Sequence, residues 1–197
     1  MEKLTIFDEK HREIGTMSRK EVHETGHWHE TFHCWLLNGD AVYIQRRSNE
    51  KESFPGLFDC TAAGHLLAGE SVEEGTREVE EELGLEVTMD DLKEIGIVQD
   101  EITSQTWKDR EFTHVYVYEC ELRQSEVKLQ KEEVEGLYLF NRKKLADLFL
   151  KNERQIAGFR FGTGERVVIS LDHFVPHDAN YFQFVANMLK DPNVVTS

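Results

Sequence analysis

Cysteine is scarce in this chain, and what there is does not pair. Cys34, Cys60 and Cys120 are odd in number, far apart and outside any C-x-x-C spacing. That argues against a disulfide framework or a thiolate zinc site, and for a reducing compartment. Basic residues are outnumbered: 23 Lys and Arg stand against 38 Asp and Glu, a net charge of −15. Without Lys/Arg clusters to track a nucleic-acid backbone or an anionic membrane surface, neither partner is expected. No apolar run approaches the ~18 residues of a membrane-crossing helix. The opening MEKLTIFDEKHR carries charge where a secretory signal would be apolar. A soluble, cytoplasmic protein is the expectation. Internal repeats, low-complexity tracts and Pro/Gly/Ser-rich linkers are absent as well. The length of 197 residues and the ordinary hydrophobic content suggest one domain, able to bury roughly 70% of its unfolded apolar surface.

What is present reads as strands around a helix. LTIF (4–7) is a short strand candidate. In TFHCWLLNGDAVYIQRR (31–47), two β-prone runs flank Asn38-Gly39-Asp40, a strong hairpin signal. LKEIGIVQDEI (92–102), FTHVYVYECEL (112–122) and VEGLYLF (134–140) read as further strands, and a helix is expected over 142–150. Strands on both sides of a central helix, with another helix after the last, predict an α/β fold of helix-sheet-helix layers. Residues 1–150 are assigned to this domain. Residues 151–197, with an amphipathic helix over about 179–190, form a C-terminal helical extension packed on it.

The central helix is crowded with acid. GESVEEGTREVEEELGL (69–85) holds seven glutamates in seventeen residues. Ser71 and Glu74 make a capping-box pattern that starts the helix at Val72, and Gly84 stops it. Val72, Val79 and Leu83 share an apolar face, while Glu78, Glu81 and Glu82 share another at i, i+3 and i+4. Like charges at that spacing cost a few tenths of a kcal/mol per pair, and a hard divalent cation would reverse the sign. A solvated acidic face is the plain alternative. Gly75, in mid-helix, suits either room for a ligand or close packing.

The order of residues identifies more than a charge run. From Gly64 the chain reads Gly, five residues, Glu70, six residues, then Arg77-Glu78-Val79-Glu80-Glu81-Glu82-Leu83-Gly84-Leu85. This resembles the Nudix box, whose ending is Arg-Glu-aliphatic-x-Glu-Glu-x-Gly-aliphatic, at every specified position of that ending. The box has seven residues between its first Glu and the Arg. One residue fewer rotates the approach by about 100° on a helix and leaves open whether Glu70 keeps the family's pairing with Arg77. The stretch 29–70, with His29, Arg46-Arg47, Phe54-Pro55-Gly56 and Gly64-His65, is similar to the branch containing type I isopentenyl-diphosphate isomerases.

The resemblance implies a Nudix-type α/β/α sandwich with a mixed β-sheet, and hydrolysis of a diphosphate in a small molecule. Glu78, Glu81 and Glu82 would hold Mg²⁺, with Mn²⁺ as the substitute, and Glu81 and Glu82 would be catalytic. Glu101 and Glu111 are further candidates for the base. Arg46 and Arg47 would bind phosphate, at most one of them facing the ligand because consecutive strand residues point oppositely. Gly64, His65, Glu70 and Arg77 complete the implied site. In the isomerases a Cys precedes Gly-His, a Glu-x-Glu pair enters a later strand, and histidines near the positions of His23, His29 and His65 bind a metal. Here Ala63 precedes Gly64, and Arg110-Glu111-Phe112-Thr113-His114 carries no Glu-x-Glu. Hydrolysis is therefore preferred over isomerisation, and the histidines are expected to be hydrogen-bonded structural residues. A catalytically idle nucleotide-binding fold is the remaining alternative. A homodimer accords with the family.

Overall fold

The computed structural model describes residues 2–103 and 107–194. Strands β1 (Lys3–Phe7) and β2 (Glu13–Ser18) form a hairpin that leads into helix α1 (Arg19–Thr25). β3 (Trp28–Asn38) and β4 (Ala41–Arg47) are joined by the expected turn, with Gly39 at φ 54°, where a side chain would be strained. Short strands β5 (Phe58–Asp59) and β6 (Ala62–His65) precede a 3₁₀ turn (Val72–Thr76) that runs directly into α2 (Arg77–Leu83). Then come β7 (Leu92–Thr103), β8 (Lys108–Glu119), β9 (Val134–Asn141), α3 (Arg142–Phe149), β10 (Ile156–Arg160), β11 (Arg166–Ile169) and α4 (Ala179–Lys190).

All the strands join one mixed sheet, in which β3 and β8 pair in parallel and the other pairs are antiparallel. β3 is its axis. Its edge away from β8 is divided, pairing β6 through residues 31–34 and β4 through residues 36–38. Thr61 holds the fork: its hydroxyl accepts from the Leu36 amide (2.9 Å) and donates to the Tyr43 carbonyl (2.5 Å). Side chains alternate along β3 between two cores. Phe32, Cys34 and Leu36 pack with Val79 and Leu83 of α2, while Trp35 and Leu37 pack with Leu145 of α3 and Val185 of α4. The result is the three-layer sandwich expected, with α2 on one face and α3 and α4 on the other.

The acidic helix is stable because of that packing. Val79 and Leu83 are fully buried, and burial of such side chains contributes about 1.5–3 kcal/mol each. That exceeds the few tenths of a kcal/mol lost per like-charge pair. Its first turn differs from expectation, being 3₁₀ rather than α. Gly75 lies in that turn, buried against Phe32: a Cβ there would meet the Phe32 Cγ at 2.6 Å, so close packing accounts for it. Beyond residue 150 the extension opens with a hairpin instead of being wholly helical. β10 pairs with β9 and β11 with β10, and Ile156, Ile169 and Tyr181 lie in the same core as Trp35. These strands are short and expose Phe159 and Val168, so their pattern in the sequence is weak.

Candidate active site

A cavity of about 220 Å³ lies where β4 and β6 diverge, and Glu78, Glu81 and Glu82 of α2 all line it. Glu78 packs against the backbone of β6. A Cβ on Gly64 would sit 1.9 Å from the Glu78 carboxyl carbon, so any larger residue there would displace the Glu78 side chain. Glu82 is buried one turn on, accepting from the Ala63 amide (3.1 Å) and the Gln45 side-chain amide (3.0 Å). Burial pushes the Glu78 carboxyl up to about 7 and that of Glu82 up to about 8, the latter raised further by the charge of Glu78. Glu81 differs: its side chain is 54% exposed at the edge of the cavity.

Arg77 connects these carboxylates. Its Nε and Nη2 donate to the two oxygens of Glu70 at 2.9 and 3.1 Å, and Nη2 also reaches the His65 carbonyl at 3.0 Å. Nη1 lies 2.5 Å from Glu78 Oε1 and 3.4 Å from Glu81 Oε2. The Glu70–Arg77 fork thus forms despite the shortened spacing, and the 3₁₀ turn supplies a physical reason. A 3₁₀ residue advances about 120° and 2.0 Å, an α residue about 100° and 1.5 Å. Five residues of 3₁₀ therefore cover nearly the rotation and rise of six α residues.

The two arginines at the end of β4 separate. Arg47 lines the cavity, with Nη1 3.5 Å from Asp59 Oδ2 and Nη2 3.1 Å from the Ser53 carbonyl. Arg46 lies outside the lining, donating to the Gly56 carbonyl at 3.0 Å. His65 also lines the cavity, one residue beyond Gly64.

The NUDIX domain model matches residues 27–159, a range that includes the box glutamates on α2. The chain belongs to the Nudix family. An uncharacterized Nudix hydrolase of Clostridium acetobutylicum is 40% identical over 200 residues, covering 95% of this chain and 97% of the relative. An isopentenyl-diphosphate Δ-isomerase of Kocuria rhizophila is 37% identical over 89 residues, covering 44% of this chain and 49% of that protein. Among solved structures, a Deinococcus radiodurans protein superposes with a TM-score of 0.59 at 21% identity, over 77% of this chain and 91% of that one. A MutT protein of Methanosarcina mazei gives 0.52 at 18% identity, over 81% and 91%. At those identities the likeness is one of fold.

This Nudix chain carries a second cluster, of which His65 and Asp109 line the same cavity, and its histidines are less fully hydrogen-bonded than expected. Donor atoms of His23, His29, His65 and Asp109 all lie within 4.8 Å of one another. Their four atoms, the three Nε2 and Asp109 Oδ1, are buried without a hydrogen-bond partner. His23 and His29 approach Asp109 at 3.4 and 3.3 Å without hydrogen-bond geometry. His29 Nδ1 lies 3.2 Å from the His27 carbonyl, which favours the tautomer that leaves Nε2 a bare acceptor. Burial, reinforced by the neighbouring His29, holds His65 well below the usual imidazole range. Imidazole nitrogens with one carboxylate are a ligand set suited to zinc and similar ions. No Glu-x-Glu enters β8, but an Asp-x-Glu pair, Asp109 and Glu111, does, and both residues line the cavity.

Sequence reasoning missed further cavity residues. Asp59 and His177 line it, with Arg47 beside Asp59. They are 118 residues apart, and neither has a neighbouring motif to mark it. Glu101 is ion-paired with Arg110, whereas Glu111 is buried within the cavity and its carboxyl is pushed well up by burial and by Asp109.

Proposed function

We propose that this chain hydrolyses a diphosphate linkage in a small molecule, with Mg²⁺ or Mn²⁺ held by Glu78, Glu81 and Glu82. The observation that carries this reading is the complete set of box carboxylates facing one cavity, with two of them buried and raised in pKa. Such a set has excess negative charge that a hard divalent cation would relieve, and its oxygens are the donors such a cation takes. Bound there, the cation would neutralise diphosphate charge and lower the pKa of a water that attacks phosphorus.

The chain's own residues divide the remaining work. Arg77, anchored on Glu70, holds Glu78 and Glu81 in place and offsets their repulsion. Arg47 presents guanidinium donors to a phosphate in the cavity. Glu81 and Glu111 are the candidates to take the water's proton, Glu81 from the open edge and Glu111 from within.

The imidazole cluster supports a second reading, metal-assisted proton exchange on an unsaturated diphosphate, as the likeness to the isomerases suggests. Ala63 weighs against it, because a methyl group transfers no proton where those enzymes place a cysteine. Cys60 is no substitute: it is buried with its thiol on the Ala62 carbonyl (3.3 Å) and its pKa pushed well up by burial. Phosphate or pyrophosphate release from a panel of diphosphates, with Mg²⁺ and then with chelator, tests the first reading. Cation-dependent release is expected. Incubation with isopentenyl diphosphate in deuterated water tests the second, and deuterium in the recovered diphosphate would establish it.

A further inference from the structure

The C-terminal segment sends one titratable side chain into the cavity. His177 precedes α4 and is almost fully buried. Its Nδ1 lies 2.5 Å from Asp100 Oδ2 on β7, and its Nε2 lies 3.1 Å from Asp59 Oδ1 on β5. Both carboxylates are buried, Asp100 completely. The segment is fastened on either side. The Val175 amide donates to the Phe58 carbonyl (2.9 Å) and the Asp178 amide to Asp100 Oδ1 (2.8 Å). Four residues on, the Tyr181 hydroxyl meets His33 Nδ1 at 2.7 Å.

Each ring nitrogen of His177 faces a carboxylate oxygen, an arrangement in which both donate only if the ring is protonated. Burial alone would push the imidazole down, and the two carboxylates overcome it and hold it well above its ordinary range. The charges then balance: Asp59 and Asp100 against His177 and Arg47. An uncompensated buried carboxylate is costly, so this balance fixes where Asp59 lies. Asp59 in turn meets the Arg47 guanidinium at 3.5 Å, and Arg47, like Lys51, lines the cavity with the box glutamates.

We propose that His177 is a positioning residue of the active site: it bridges Asp100 and Asp59, and through Asp59 it orients Arg47 toward the bound diphosphate. Residues 171–190 are on this account part of the site. The proposal rests on the reading of the cavity as a diphosphate site. The ring nitrogens of His177 bond Asp100 and Asp59 rather than a box carboxylate, and its effect is transmitted by one arginine.

A double-mutant cycle reads that transmission. The probe is inorganic pyrophosphate with Mg²⁺, titrated calorimetrically into wild type, His177→Gln, Arg47→Ala and the double variant. Circular dichroism and Tm monitor folding. His177→Gln is expected to weaken pyrophosphate about tenfold, Arg47→Ala by at least as much, and the double variant no further than Arg47→Ala. Any substrate turned over should show the loss in KM more than in kcat. Undiminished binding by a folded His177→Gln, or losses that multiply in the double variant, would overturn the proposal while leaving the diphosphate site standing. Wild type that binds no pyrophosphate would overturn the site itself. Should His177→Gln fail to fold, Asp59→Asn replaces it with the same expectations, since it keeps the side-chain shape and removes the charge that His177 and Arg47 share.

Discussion

Gly64 and His65 are neighbours in sequence, yet each belongs to a different group of candidate ligands. Gly64 lies under Glu78 in the box site, while His65 belongs to the imidazole cluster. The box carboxylates are compensated in part by the protein itself, through the Arg77 fork and through the amides of Ala63 and Gln45. The imidazole cluster has only Asp109, 3.3–3.4 Å from His29 and His23, and its four donor atoms are buried without a hydrogen bond. Buried polar atoms are normally hydrogen-bonded. Here four such atoms converge within 4.8 Å.

The comparison breaks first at Gly64. Gly64→Ala places a methyl group on the Glu78 carboxyl and forces that side chain out. Hydrolysis is expected to fall by about 100-fold, as misplacing a reacting group by an ångström can cost, with little change in stability, because the displaced group is the free end of a flexible side chain. Rate and Tm measurements check both, and a variant with wild-type rates contradicts the placement of Glu78.

The second test concerns the imidazoles. Zn²⁺ at a hundredfold excess over its Kd should stabilise the wild type by about 2.7 kcal/mol, or about 5–10 °C in Tm for a chain of this size. His29→Ala should abolish the shift and Glu82→Gln should retain it. A wild type indifferent to Zn²⁺, or a shift surviving in His29→Ala, would equate the two clusters as ordinary buried polar groups.

The smallest effect sharpens the electrostatic half of the comparison. Glu82 holds its proton more tightly folded than unfolded, about 8 against the ordinary 4.5. The stability linked to that proton is fully present below about 4.5 and is lost as pH rises through 8. In chelator, Glu82→Gln should therefore match wild type in Tm near pH 4.5 and exceed it increasingly toward pH 8. Saturating Mg²⁺ should reduce the gap by stabilising the ionised carboxylate in wild type. A gap constant with pH contradicts the raised pKa.

What could be read from the sequence was local. Glu78, Glu81 and Glu82 were legible because helical spacing alone brings them to one face, and Val79 and Leu83 because the same spacing gives the other. The Asn38-Gly39-Asp40 hairpin was legible for the same reason. The fate of Glu70 was not, because it depends on a 3₁₀ turn that restores the rotation a missing residue removes. Three histidines of the second cluster were visible in sequence, but their fourth partner, Asp109, is 44 residues beyond His65 and enters through the pairing of β8 with β3. His177 was beyond reach altogether, since its partners Asp59 and Asp100 come from two other strands. The β10–β11 hairpin was missed because its strands are only five and four residues long.

The central claim is that the box carboxylates form a cation-dependent hydrolytic centre. Its most direct test is the initial rate of phosphate or pyrophosphate release with Mg²⁺, for wild type and Glu82→Gln side by side on one diphosphate panel. The account predicts that wild type turns over at least one member of the panel and that the variant loses more than about 100-fold of that rate while remaining folded. Equal rates for the two proteins would contradict it.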